Sequence, residues 1–293
     1  MVGGLIVNSG KKMILDRSYN SVPSFSTVSK YKVGIGTAAA NVLNTDLEFA
    51  VPLQNFTVLE DGASTAWTAV TGTTLTASTA YYKSSPSSIS ILKVGTASTS
   101  VALTKIVPAL DFSNQFLSLW IFIADSTMLG LLQDVSSLVI KYGSDASNYY
   151  FWSKNKTVLS VGWNLLDNLT SANGSVVGTA VLTAMTYVNL NFGATATTAT
   201  WGINALNLDD IKVYNTANTF SSFDAGYPNV DFNSLTVVSR FTLNTLQGNG
   251  YDITECGCFN SDGSVLMESR DVFNGVSKTS NDQIIFQVKT TIN

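Results

Sequence analysis

The stretch Phe116-Leu117-Ser118-Leu119-Trp120-Ile121-Phe122-Ile123-Ala124 is the longest apolar run in this chain of 293 residues, and its length decides the fold class. A helix that crosses a bilayer needs roughly 20 apolar residues. A run this short, rich in aromatic and large aliphatic side chains and bounded by turn residues, reads instead as a buried strand. The mean hydropathy of +0.21 is then a property of a packed β interior.

Outward from this run the same pattern repeats. Short apolar or alternating segments stand at 88–94, 137–142, 149–152, 186–192 and 210–214, separated by Gly, Ser, Asn and Thr turns. Regularly spaced short strands of this kind predict a β-sandwich. Trp67, Trp120, Trp152, Trp163 and Trp201 all fall between positions 55 and 214, so 55–214 is expected to be one self-contained unit.

The flanks read differently. Residues 9–19 form the plausible helix, with Ser9 as its expected cap before Met13, Ile14 and Leu15. A strand is expected at 31–36, and three more at LTVVSRFTL, YDITECGCF and DQIIFQVKTTI. Together, 1–54 and 215–293 are expected to make one discontinuous α+β domain, with the sandwich inserted between its halves. The last strand, 282–292, is read as an exposed edge open to augmentation by a neighbour.

Composition narrows the function. The chain contains no histidine, the usual general base and commonest metal ligand. Charged residues make up 12%, the net charge is −4, and the 16 Lys and Arg form no basic stripe, which argues against a nucleic-acid partner. The N-terminus, MVGGLIVNSGKKM, does not read as a secretory signal, and the mature chain is expected to start near Met1. Cys256 and Cys258 lack the ligand number of structural zinc. With Gly257 between them on a strand, both thiols are expected to point inward as small buried hydrophobes, a vicinal redox pair being the alternative.

Catalytic signals are absent. Asp111, Asp125, Asp134, Asp145 and Asp167 form no motif for glycoside hydrolysis and are expected to serve as turn residues or caps. No phosphate-cradling Gly-rich loop or nucleophile elbow is present. The expected protein is not an enzyme.

Sugar binding needs aromatic platforms beside amide and carboxylate partners. The consecutive run Tyr149-Tyr150-Phe151-Trp152 must send two rings to each side of its sheet, one pair to the core and one outward. Tyr149, Tyr150 and Trp152, with Tyr81 and Tyr82 beside a Ser-Pro turn, are the candidate glycan-binding residues. Trp163 is assigned to the core.

Two resemblances add to this reading. The N-terminal residues Ile6-Val7-Asn8-Ser9-Gly10-Lys11, Tyr31-Lys32-Val33-Gly34-Ile35-Gly36 and Asn44-Thr45-Asp46-Leu47-Glu48 are followed near the C-terminus by Gly248-Asn249-Gly250-Tyr251-Asp252-Ile253-Thr254-Glu255-Cys256-Gly257 and Phe259-Asn260-Ser261-Asp262-Gly263. In this order they resemble phage tail-collar and tail-fibre proteins, with Cys258 in place of the usual apolar residue and Ser261-Asp262-Gly263 as the turn of a closing hairpin. The resemblance implies a bacteriophage virion structural protein, made in the host cytoplasm and carried on the virion exterior. It also implies a homotrimer touching other virion proteins as a tail or baseplate fibre, or alternatively as a capsid decoration protein. No membrane insertion is expected.

The insert opens with Phe56-Thr57-Val58-Leu59-Glu60-Asp61-Gly62 and Trp67 and closes with Leu208-Asp209-Asp210-Ile211-Lys212-Val213-Tyr214. In this it is similar to jelly-roll carbohydrate-binding modules, which implies a lectin-like sandwich that meets host-surface glycan. By that resemblance Glu60, Asp61 and Asp209 are the candidate ligands of a structural calcium ion. A cellular carbohydrate-binding module is the remaining alternative.

Overall fold

The computed structural model describes residues 2–3, 5–53, 56–62, 66–83, 86–95, 98–261, 266–279 and 281–291. The chain divides into two compact units, Thr57–Asn215 and the paired segments Met1–Phe56 with Thr216–Asn293.

The inserted unit is a two-sheet antiparallel β-sandwich. One sheet runs, in spatial order, Ser175–Val177, Asn148–Lys154, Leu138–Asp145, Met185–Gly193, Ser100–Leu110 and Thr68–Ala69. The other runs Gly162–Leu169, Phe116–Ile123, Leu206–Tyr214, Ser88–Lys93 and Thr73–Ser78, with Thr57–Glu60 also paired to Leu206–Tyr214.

Strand alternation builds the core between them. Leu138, Ile140 and Tyr142 from one sheet meet the same interior as Leu117, Leu119, Ile121 and Ile123 from the other. Phe116–Ile123 is apolar at nearly every position because both of its sides are covered. Its odd-numbered residues enter the core, while Trp120 and Phe122 lie beneath neighbouring aromatic rings. Leu206–Tyr214 is buried throughout and carries a bulge, where the register slips between Asp209 and Lys212 and Asp210 takes a φ of 52°. Asp tolerates this left-handed conformation better than most residues.

The other unit holds a four-stranded and a five-stranded sheet. The first orders Val2–Gly3, Ile284–Thr291, Thr236–Leu243 and Asn229–Asp231; the second orders Ser221–Ser222, Val28–Gly34, Asp252–Asn260, Met267–Ser277 and Leu5–Ile6. Phe241 joins the two, stacked at 4.0 Å on Tyr31 and 5.1 Å on Phe286. Glu255, fully buried, meets Arg270 at 2.8 Å and accepts the backbone N–H groups of Gly36 and Phe49. The pair thereby fixes both ends of the segment between those residues.

Several expectations change here. The helix spans Asn8–Tyr19 with Val7 at its N-cap, and Ser9 is not the cap. The Ser9 hydroxyl donates to the Met267 carbonyl instead. Gly10 lies so close to the next strand that a Cβ would come within 2.3 Å of the Glu268 carbonyl oxygen, so the first helical turn is committed to tertiary contact. The strand Ile284–Thr291 is an edge only in part: Thr236–Leu243 pairs along its whole length, and on its other side Val2 and Gly3 cover Val288 and Lys289, while among the described residues 284–287 meet no strand there. Both cysteines are buried free thiols. The strands of the closing hairpin pair at Phe259 and Met267, while Asp262 and Gly263 of its expected turn lie outside the described residues.

Candidate functional site

Cross-strand register places one set of side chains on the outer face of the first sheet. Tyr149 is paired with Gly143, and Gly143 with Tyr187. One step along, Phe151 is paired with Lys141, Lys141 with Asn189, and Asn189 with Thr104. The next row brings Ser153, Val139 and Asn191 together. Directly opposed residues in an antiparallel pair share a face, so these rows form one surface across four strands.

Of the run 149–152, Tyr149 and Phe151 belong to this face, whereas Trp152 lies in the core and Tyr150 packs against it. The expectation for Tyr150 and Trp152 as glycan contacts is therefore corrected. The Trp152 indole N–H is already committed to the Thr170 carbonyl and to Asn173 Oδ1 at 2.8 Å. Phe151, missed as a site residue, could have been found from its two-residue offset from Tyr149.

The rings of Tyr149 and Phe151 lie 6.3 Å apart and inclined at 67°. A Cβ on Gly143 would come within 2.5 Å of the Tyr149 Cβ and 2.3 Å of the Asn148 carbonyl oxygen, so a side chain there would displace Tyr149. Glycine at 143 lets Tyr149 pack directly against the neighbouring strand.

Two amides on this face retain bonding capacity, although Asn189 is itself only 5% exposed and the neighbouring Tyr187 8%. Asn189 Nδ2 donates to the Leu103 carbonyl at 3.1 Å and to Thr104 Oγ1 at 2.9 Å. Because a carbonyl can only accept, the amide orientation is fixed, and among the described residues Asn189 Oδ1 accepts no hydrogen bond. Asn191 Oδ1 accepts from the Ser100 hydroxyl at 2.6 Å, which leaves its amide N–H groups to donate. An aromatic pair beside an amide acceptor and an amide donor suits a pyranose, with its apolar face and rim of hydroxyls.

The second sheet carries its own outward aromatics, but they pack on one another. Tyr81 stacks at 4.2 Å on Phe122, which lies 5.2 Å from Trp163, and Trp163 meets Trp120 edge-on at 6.4 Å. Trp163 is thus in an outer cluster, not the core, because it is paired with Phe122 rather than with a core-facing residue. Trp120 and Phe122 are only 7% and 8% exposed. Tyr81 and Tyr82 remain 43% and 44% exposed.

The calcium residues do not fit a metal site. Glu60 Oε1 accepts the backbone N–H groups of Asp61 and Gly62, at 3.0 and 2.7 Å. Glu60 Oε2 accepts from the Trp67 indole and from Lys105 Nζ at 2.8 Å. Asp61 is exposed, and Asp209 Oδ2 accepts the Lys83 N–H at 2.6 Å. Among the described residues no three acidic or thiol groups gather to hold a metal. Burial raises the Asp210 carboxyl above its ordinary range, opposed by the Lys212 ammonium at 2.7 Å.

The scattered aspartates do local work. Asp111 accepts Ser113 N–H, Asp125 caps the short helix Ser126–Gly130 through Met128 N–H, and Asp134 pairs with Lys156. Asp145 closes the turn at Ser147 and Asn148, and Asp167 takes the Tyr214 hydroxyl at 2.6 Å.

No family model and no curated protein matches this chain. Among solved structures it is similar to a family 11 carbohydrate-binding module from Clostridium thermocellum in complex with a β-1,3-1,4-mixed-linked tetrasaccharide. That match has 12% identity and a TM-score of 0.39, and covers 55% of this chain and 95% of the module. It is also similar to the CBM22-1 xylan-binding domain of Paenibacillus barcinonensis Xyn10C, with 12% identity, a TM-score of 0.31 and coverage of 56% and 94%. The sugars named belong to those modules.

Proposed function

We propose that the Thr57–Asn215 unit is a non-catalytic glycan-binding module and that the outer face of its first sheet is the contact surface. The observation that carries this is the row of Tyr149 and Phe151 beside an Asn189 Oδ1 and Asn191 amide protons that the protein leaves unbonded. The outward aromatics of the other sheet are largely spent on one another. The sugar stacks on the rings and exchanges hydrogen bonds with the amides, so selectivity comes from the spacing of those groups.

The virion setting rests on the terminal resemblance alone. In that reading the terminal unit mounts the module on a tail or baseplate fibre, as a homotrimer at the particle surface, with capsid decoration as the alternative location. The same binding face would serve a cellular carbohydrate-binding module equally well.

The test is an oligosaccharide array probed with the full-length chain, followed by Phe151→Ala. Loss of an aromatic anchor at a binding hot spot costs about tenfold or more in affinity. Binding that survives both Tyr149→Ala and Phe151→Ala unchanged places the contact elsewhere.

A further inference from the structure

Lys141 stands in the middle row of the proposed face, on a central strand, between Phe151 and Asn189. Its Nζ lies 4.8 Å from the centroid of the Tyr149 ring, a cation–π distance that holds the ammonium beside the platform. Among the described residues it makes no ion pair and no hydrogen bond. The same unit pairs or bonds other lysines closely: Lys105 meets Glu60, Lys212 meets Asp210, and Lys93 donates to the carbonyls of Thr197 and Ala199.

Lys141 is also the one charged side chain in the rows that define the face. Lys154 falls on the opposite alternation from Phe151 and Ser153. The Lys141 side chain is only partly buried, so a ligand that brings an anion can reach the ammonium, and a charge-assisted bond to a carboxylate or sulfate is about twice as strong as a neutral one.

We infer that this face selects glycans bearing an anionic substituent, a uronic acid carboxylate or a sulfate ester, and that Lys141 is the residue that makes the selection. The inference rests on the glycan-binding reading of the same surface. The chain's net charge of −4 repels an acidic polymer, so the attraction has to come from Lys141 locally.

The experiment presents the full-length chain with an array of matched oligosaccharides, uronate against the parent hexose and sulfated against unsulfated. Wild type, Lys141→Met, Lys141→Arg and the Tyr149→Ala/Phe151→Ala double variant are compared. The expected result is preference for the acidic members, weakened by added salt, reduced about tenfold or more in Lys141→Met, and retained in Lys141→Arg. The double variant loses about tenfold or more in affinity for every member. Equal binding of neutral and acidic members by wild type and Lys141→Met overturns the anionic selectivity and leaves the glycan face standing. Binding of no member by folded wild type overturns both.

Discussion

The Lys105 ammonium lies 2.8 Å from Glu60 Oε2 and 2.7 Å from the Leu59 carbonyl oxygen, inside the sandwich where the opening strand meets the first sheet. A carboxylate and a carbonyl are the hard oxygen donors that a calcium ion uses, and here a covalently attached cation already occupies them. The Glu60 side chain is fully buried, so its charge is compensated from within the chain.

Two results follow for this pair. The melting temperature of the full-length chain is expected to stay the same in EDTA and in millimolar calcium, measured by calorimetry; a calcium-dependent rise would show that the acids bind metal after all. Lys105→Met leaves a buried carboxylate without its counter-charge, and breaking a buried pair from one side costs about 3–5 kcal/mol. An unchanged unfolding midpoint in Lys105→Met would contradict the compensation.

Adjacent aromatics should separate stability from binding. Trp152→Ala empties a core position and is expected to cost about 3–5 kcal/mol in denaturant unfolding. Phe151→Ala, on the opposite side of the strand, should alter stability far less while weakening glycan binding about tenfold or more. The reverse pattern, a stable Trp152→Ala and a collapsed Phe151→Ala, would mean that the strand's two sides are exchanged.

The terminal unit carries a pH signature. Burial pushes the Glu268 carboxyl up to about 7 against a usual value near 4.5, partly opposed by the Ser269 hydroxyl. The native state therefore holds a proton that the unfolded chain has lost. That contribution is fully present below about pH 4.5 and disappears as pH rises to about 7. Thermal midpoints across this window should fall in the wild type and flatten in Glu268→Gln. Parallel profiles for the two proteins would remove Glu268 as the cause.

Much of this was readable from local pattern. The run 116–123 announces a buried strand by its length, and 149–152 announces two opposed aromatic pairs by alternation alone. Alternation does not say which pair faces in; that depends on pairing with Leu138–Asp145, a contact between segments that the sequence does not display. Trp163 illustrates the same limit: a tryptophan beside an apolar segment reads as core, yet its cross-strand partner Phe122 faces outward. Lys141 gave no signal at all, because an isolated lysine on a strand is ordinary until register sets it between Phe151 and Asn189. Glu60 read as a metal ligand because its partner Lys105 lies 45 residues away.

The most direct measurement compares the two outer faces. Affinity of the full-length chain for its best array ligand is determined by calorimetry for Tyr149→Ala/Phe151→Ala and for Tyr81→Ala/Trp163→Ala, after circular dichroism confirms that both remain folded. Loss of about tenfold or more in the first and near-wild-type binding in the second is expected. Retained binding in the first with loss in the second would contradict the assignment and move the site to the opposite sheet.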